Sequence, residues 1–457
     1  MKGRNSEISM YDSKSVQSVQ IETRVYKRRW FLLAVIFTLN SSNAMNWCAF
    51  TPIPDITKSF FHCSITDVNL LSLVFFVAYI PLFPVGSFLV DYCGLRTAVI
   101  TSCTINAIGA ILSFASCYLP KDYMYTMLFI GKLFSAVAQA LTLMQPTKLA
   151  AVWFKEDERA TANSIASLSN QLGLLVANVA VPIIVPEKKY IPLMLGLNSI
   201  LPVAAFFMSV LGFTRSEPLI SPSQSRSIQS LTFKDSFIVC VKSFQFWVLF
   251  VVLGIVFGIV SSLIALIDEI LCTFGYSNDF AGDSIATFLG TGLVGAIFIG
   301  MYADKTNKLE STAKSTIGFG VMGIILFSTF ATYAHCEVIL IVSMCFVGIF
   351  GLVFVPLCLE LAVECTYPAA EATSSGLLLL GGQLFGSIFM VVLPLLATNV
   401  ISPYNNCGGD VTVALNYRHS LYFFELCNVI SYITFMAVFK SPDLRKKAEM
   451  LTTKVNN

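Results

Sequence analysis

Apolar runs long enough to cross a bilayer recur about twelve times along this chain, separated by short polar breaks. A spanning helix needs roughly 20 such residues, because hydrocarbon offers no partner for backbone N–H and C=O groups and the segment must satisfy them itself. The expected spans are Phe31 to Ile56, Asp67 to Val90, Thr97 to Cys117, Tyr123 to Ala150, Thr161 to Val185, Ile191 to Phe213, Phe244 to Leu271, Asp283 to Ala303, Lys314 to His335, Val338 to Ala362, Thr373 to Val400 and Leu421 to Phe439. With 56% hydrophobic and only 12% charged residues, the composition excludes an ordinary soluble domain. The expected fold class is an all-α membrane protein of twelve transmembrane helices.

Charge placement sets the expected orientation. The polar N-terminal segment closes with "RVYKRR" (Arg24 to Arg29), and the run behind it is too long for a signal-peptide core and has no evident cleavage site. If the sides alternate from there, 23 of the 29 Lys and Arg residues fall inside. The outer set is Lys58, Lys121, Lys188, Lys189 and Arg418, and Lys132 lies within a span. The positive-inside rule then puts both termini in the cytosol, with the plasma membrane as the expected location and an endomembrane as the alternative. The 13 cysteines lie mostly inside spans without metal-ligand spacing and read as small apolar residues. Cys63 and Cys407 fall in expected outer loops, where they are candidates to pair. The sequon at Asn40 falls inside the first span, where glycosylation is not expected. No nucleotide-binding glycine loop, metal cluster or nucleophile triad is present, so no enzyme, no cofactor and no nucleic-acid partner are expected. The expected partners are a small-molecule solute and the lipid bilayer, with the protein as a monomer.

The chain repeats itself. "ATANSIASLSNQLG" (Ala160 to Gly173) and "ATSSGLLLLGGQLFG" (Ala372 to Gly386) place Gln171 and Gln383 at an offset of 212, which "LAAVWF" from Leu149 and "LAVECTYP" from Leu361 share. The loops after spans 2 and 8 repeat as well: "SFLVDYCGLR" contains Asp91, Gly94 and Arg96, and "GMYADKTNK" contains Gly300, Asp304, Lys305 and Lys308. Two parallel halves of six spans resemble the major facilitator superfamily, and both loops resemble its G-x-x-x-D-x-x-G-x-R/K motif. Ser87 replaces the first glycine in one copy and Asn307 the second in the other. The resemblance implies a conformational gate in which Asp91 faces the start of span 11 near Thr373, and Asp304 faces the start of span 5 near Arg159; an acid is favoured at a helix N-terminus. Ordinary charged loops flanking a membrane are the plainer alternative. The expected organisation is a cytosolic tail over 1–30, six-helix bundles over 31–213 and 244–440, a cytosolic linker over 214–243 and a cytosolic tail over 441–457. The linker stretch "TRSEPLISPSQSRSIQS" is Ser-rich and basic and is not expected to fold.

Four stretches are more specific: "RRWFLLAVIFTLNSSNAMNW" (Arg28 to Trp47), "LSLVFFVAYIPLFPVGSFLVDYCGLRT" (Leu71 to Thr97), "PTKLAAVWFKEDERATANSIASLSNQLG" (Pro146 to Gly173) and "LELAVECTYPAAEATSSGLL" (Leu359 to Leu378). They resemble the feline leukaemia virus subgroup C receptor-related transporters, solute carrier family 49. That resemblance implies a facilitator whose known members carry choline and ethanolamine, with haem also proposed. It implies a solute site at Trp47, Gln171 and Gln383, in which an indole face attracts an ammonium group and two amides orient the rest of the solute. Asn43, Gln139 and Ser261 complete the candidate substrate-binding set. The alternatives are a packing aromatic for Trp47 and interhelical hydrogen bonds for the glutamines.

Two positions depart from the family's pattern. Ser261 stands where choline carriers have a tyrosine in span 7, and Lys132 stands where relatives can have an uncharged amide. Lys132 is expected to snorkel outward, to pair with Asp55, Asp268 or Glu425, or to repel a cation. The acids within spans, Asp55, Asp268, Glu360 and Glu425, are expected near the membrane edges, which favours uniport over proton coupling. Haem transport and a receptor without transport remain the rival readings; His62, His335 and His419 are all expected near the outer edge.

Overall fold

A computed structural model describes residues 26–219, 231–306, 308–400 and 414–442, together with Leu444. The first set of helices is α1 (Arg28–Cys48), α2 (Pro54–Phe61), α3 (Ile65–Asp91), α4 (Leu95–Ala115), α5 (Lys121–Thr142), α6 (Gln145–Trp153), α7 (Glu156–Ile184) and α8 (Ile191–Gly212). After α9 (Phe233–Lys242) the second set is α10 (Phe244–Cys272), α11 (Asn278–Thr306), α12 (Leu309–Ala331), α13 (Glu337–Phe346), α14 (Leu352–Thr366), α15 (Glu371–Leu396) and α16 (Arg418–Val438). A short antiparallel pair, β1 (Thr398–Val400) and β2 (Ala414–Asn416), precedes α16.

Among the described residues, eleven helical segments are long and apolar enough to cross a membrane. The twelfth spanning position belongs to α1, whose run "LNSSNAMNW" lowers its hydropathy. Every polar side chain in that run is buried, and most reach a neighbouring helix. Asn40 donates to the Ala166 carbonyl at 3.3 Å and Ser41 to the Ser169 carbonyl at 2.8 Å, both on α7. Asn43 donates to Asn106 Oδ1 on α4 at 3.0 Å and to the Ser135 carbonyl on α5 at 2.8 Å, and Asn106 returns a bond to Ser42. Lipid tails are as apolar as leucine, so helices in a membrane associate through such bonds and through close contact between small residues. The α4–α5 contact supplies the second kind: a Cβ on Gly109 would lie 2.6 Å from the Gly131 carbonyl, and one on Gly131 would lie 2.7 Å from the Gly109 carbonyl.

The two sets meet along α3 with α15 and along α7 with α11. One end of the bundle carries Arg28, Asp91, Lys148 and Lys308 and is called the basic end below; the other is the far end. Four spans depart most from the expected course. The first span stops at Cys48 and a separate α2 follows with a proline in its first turn. The fourth span is broken between α5 and α6, where Pro146 begins the new helix. The tenth is interrupted by a π-helical turn at Val347–Gly351, and the eleventh ends at Leu396, before β1.

The linker also differs. Its last third folds as α9, capped by the Thr232 side chain accepting from the Asp235 N–H. Cys240 of α9 lies 3.3 Å from the Ser374 hydroxyl of α15, and Ser236 accepts from the Ala370 N–H at 3.0 Å. The Ser-rich stretch before it largely lies outside the described residues. Cys63 carries a free thiol, so it is not paired with Cys407, which lies outside the described residues. Burial, with Asp67 nearby, pushes the Cys63 pKa up to about 11. Among the described residues Cys272, at the far end of α10, is disulfide-bonded.

Candidate solute site and the contacts at the two ends

Trp47 sits in the last turn of α1, half-buried, and its indole N–H donates to the Ser72 carbonyl of α3 at 3.3 Å. Its ring meets Phe76 edge-on at 5.5 Å between centroids, and Trp47 packs against the cluster formed by Val74, Phe75 and Ala136. Phe76 is buried and reaches the second set of helices, since a Cβ on Gly386 of α15 would lie 2.9 Å from its ring. Gly386 is three residues beyond Gln383 and therefore on the same face of α15. Gln383 is buried, and its Oε1 has no hydrogen-bond partner among the described residues. On α7, Leu174 is three residues beyond Gln171 and belongs to the same apolar cluster as Phe76 and the α10 residues Ile259 and Leu263. Gln383 therefore lies on the face of α15 that meets Phe76, and Gln171 lies one turn from the α7 residue Leu174 that joins the same apolar cluster. The aromatic pair "FF" in the middle of span 2 was the available signal for Phe76, a residue absent from the expected set.

The other candidates divide. Asn43 has both amide hydrogens committed to Asn106 and Ser135, which makes it a strut between α1, α4 and α5. Gln139 is half-buried on α5 with an unpartnered Oε1. Ser261 is buried on α10, and the next residue, Ser262, lies 3.4 Å from the Gly386 carbonyl. Phe257, one turn before Ser261, has its ring against Gly382, where an added Cβ would lie 2.6 Å from it. Aromatic surface is thus present one turn away from the expected tyrosine position.

Lys132 neither snorkels nor pairs with an acid. It is 1% exposed, so it does not snorkel, and among the described residues no carboxylate lies within ion-pair distance of it. Its ammonium donates to the Asn46 carbonyl and sits 4.7 Å from the centroid of the Phe50 ring. Asp55 is in α2, where burial pushes its carboxyl up against the opposing influence of Lys58. Glu425 accepts from Ser328 of α12 at 3.2 Å.

At the basic end, Asp91 closes α3. Its Oδ1 accepts from Lys148 of α6 at 2.7 Å and its Oδ2 from Thr373 of α15 at 3.4 Å. Ser87, which stands where the loop motif has glycine, places its hydroxyl 3.5 Å from that of Thr373. Gly94 has φ +86°, a conformation that favours glycine, and an added Cβ would lie 2.6 Å from the Ser216 hydroxyl. The Arg96 N–H donates to the same hydroxyl at 3.3 Å. In the second copy, Gly300 faces open space, and Lys305 and Lys308 are exposed. The side chains of Asp304 and Arg159 lie outside those described. The sequence reading missed Arg29, which is buried against Trp30 and Phe154 and pairs with Glu158 at 2.7 Å.

At the far end, Glu269 accepts from Asn69 of α3 at 2.7 Å and from the Tyr417 hydroxyl at 2.8 Å. Asn69 belongs to the first set of helices, so this contact crosses the interface as Asp91–Thr373 does at the opposite end. Glu269 was also missed: the pair "DE" close to a helix end suggests solvated acids. A cleft of about 790 Å³ at the basic end, lined by Lys308, Glu310, Lys314, Glu364, Tyr432 and residues near them on α12, α14 and α16, lies within the second set alone. Its Lys314 pairs with Glu310 at 2.7 Å, and it is not the site described above.

The family model described as Major Facilitator Superfamily matches residues 31–398. Solute carrier family 49 member A3 of Xenopus tropicalis is 37% identical over 442 residues, covering 93% of this chain and 90% of the relative. The choline/ethanolamine transporter FLVCR1 of Felis catus is 28% identical over 405 residues, covering 85% and 71%. Among solved structures, a D-xylose-proton symporter superposes with a TM-score of 0.68 at 14% identity, covering 90% of this chain and 98% of that one, a likeness of fold.

Proposed function

We propose, for a chain that belongs to solute carrier family 49 of the major facilitator superfamily, that it carries a small solute with an ammonium head across the membrane by alternating access. The class is the one to which choline and ethanolamine belong, and relatives at 28% identity are named as carriers of both. The supporting observation is the line Trp47–Phe76–Gly386, which joins the indole to the face of α15 that carries Gln383. Trp47 and Phe76 offer ring surface to the ammonium, and the unpartnered Oε1 of Gln383 offers an acceptor. Gln171 approaches from α7.

Asp91 with Thr373 holds the basic end, read as cytosolic, and Glu269 with Asn69 holds the outer end. Release of one or the other exposes the site to one side at a time. The process is uniport: Glu269 and Asp268 lie at the far end of α10, and Glu425 is held by Ser328 within the second set of helices.

Initial uptake of labelled choline and ethanolamine into proteoliposomes tests the reading. A desolvated cation–π contact is worth about 2 kcal/mol, so Trp47→Ala is expected to lower uptake at least tenfold with insertion unchanged. Wild-type rates in Trp47→Ala, Gln171→Ala and Gln383→Ala together would remove these residues from the site. Accumulation that follows an imposed proton gradient would contradict uniport.

A further inference from the structure

Lys132 is a buried ammonium whose partners are one backbone carbonyl and one ring face, both suited to a cation and neither carrying a compensating charge. An ammonium has three donors, and a charge taken out of water is retained only when it is paired or well bonded. The neighbouring Asn46 side-chain Nδ2 is also buried and without a partner. On facing helices, α5 and α1, the ammonium thus has one acceptor for its three donors and the Asn46 amide has none. We propose that the missing acceptor is a carboxylate on the transported solute, so that the substrate class is a small zwitterion or carboxylate rather than a plain cation.

The placement of Lys132 relative to Trp47 supports this. Lys132 and Ala136 are four residues apart on α5, hence on one face and about 6 Å apart along its axis. Ala136 packs in the cluster that Trp47 lies against. An ammonium head at Trp47 and a carboxylate at Lys132 belong to a solute whose two charges are a few bonds apart. A cation alone would meet the Lys132 charge within a helical turn, which weakens its binding by a factor on the order of 10 to 100. The inference rests on the Trp47 solute site, and its test separates the two.

Three probes of nearly the same shape decide it: choline, trimethylglycine and 3,3-dimethylbutanoate, which carry the ammonium alone, both charges, and the carboxylate alone. Affinities for purified full-length protein are read by thermal shift and equilibrium binding. The wild type is expected to bind trimethylglycine at least tenfold more tightly than choline, with measurable binding of 3,3-dimethylbutanoate. Lys132→Met is expected to abolish the preference and weaken both carboxylates at least tenfold, while Lys132→Arg retains them. Trp47→Ala is expected to weaken choline and trimethylglycine and spare 3,3-dimethylbutanoate. If Trp47→Ala is silent while Lys132→Met still loses the carboxylates, the Trp47 reading fails and the Lys132 site stands. Choline binding as tightly as trimethylglycine to the wild type, carboxylate binding unchanged in Lys132→Met, or no binding of any probe would each overturn the proposal. The wild-type comparison requires no variant to fold.

Discussion

The two ends of α3 tie the halves of the molecule together by different chemistry. At the basic end the acid, Asp91, belongs to the first half, its cation Lys148 comes from that same half, and the Thr373 hydroxyl crosses the interface with a 3.4 Å bond to Asp91 and a 3.5 Å contact with Ser87. At the far end the acid, Glu269, belongs to the second half and its crossing link is an amide bond of 2.7 Å, with Tyr417 as the other donor. The basic end spends its charge locally and crosses weakly, whereas the far end directs its charge across. Both crossing bonds end on a carboxylate, where a well-formed bond contributes about 1.5 to 3 kcal/mol, but the 3.4 Å bond to Asp91 is near the limit of hydrogen-bond length while the 2.7 Å bond to Glu269 is short, so the far end is the firmer of the two closures.

The largest expected effect breaks the far end. Glu269→Ala leaves Asn69 and Tyr417 without their acceptor and is expected to raise the population open at that end about 10- to 100-fold, read as accessibility of cysteines placed near Asn69. Unchanged accessibility would remove Glu269 from the closure. Asp91→Asn is expected to give a smaller change, about fivefold, at the basic end: the ion pair with Lys148 is lost, while a side-chain oxygen remains for Thr373. An effect larger than that of Glu269→Ala would reverse the ranking. Tyr417→Phe removes one of the two bonds to Glu269 and is expected to open the far end about threefold. The smallest effect sharpens the contrast in kind. Raising salt to about 0.5 M is expected to change basic-end accessibility by less than about twofold, through the partly exposed Asp91–Lys148 pair, and to leave the far end unmoved.

The same contrast explains what could be read in advance. Asp91 was legible because its loop recurs after span 8 with an acid at the matching place, and a repeat is visible without coordinates. Glu269 has no counterpart in the repeat, and an acid near a helix end reads as solvated until a tyrosine 148 positions away is seen to reach it. The twelve-span architecture follows from hydropathy, yet α1 falls short of that criterion because its asparagines and serines face other helices and not lipid. Trp47 was legible as a residue type in a span, whereas its partner Phe76 depends on how α3 is rotated. Lys132 was visible as an anomaly. That it neither reaches the surface nor finds an acid depends on the path of α1 and the turn after it, which set the Asn46 carbonyl and the Phe50 ring against the ammonium. Pro146 marked the break in the fourth span, but the apolar residues on both sides made the run look continuous. Helix α9 was obscured by the Ser-rich stretch preceding it, although Thr232 and Asp235 form a legible cap.

The central claim is that α3 is held at both ends by separate contacts, so that releasing one opens that end alone. The direct measurement uses spin-label distances across each end: Ser64→Cys with Ser277→Cys at the far end, and native Cys93 with Lys308→Cys at the basic end, in a background without other reactive thiols. The account predicts that Glu269→Ala adds a longer-distance population to the far-end pair and leaves the basic-end pair short, and that Asp91→Asn does the reverse. Both pairs lengthening together in either variant, or neither pair changing in both, would contradict it.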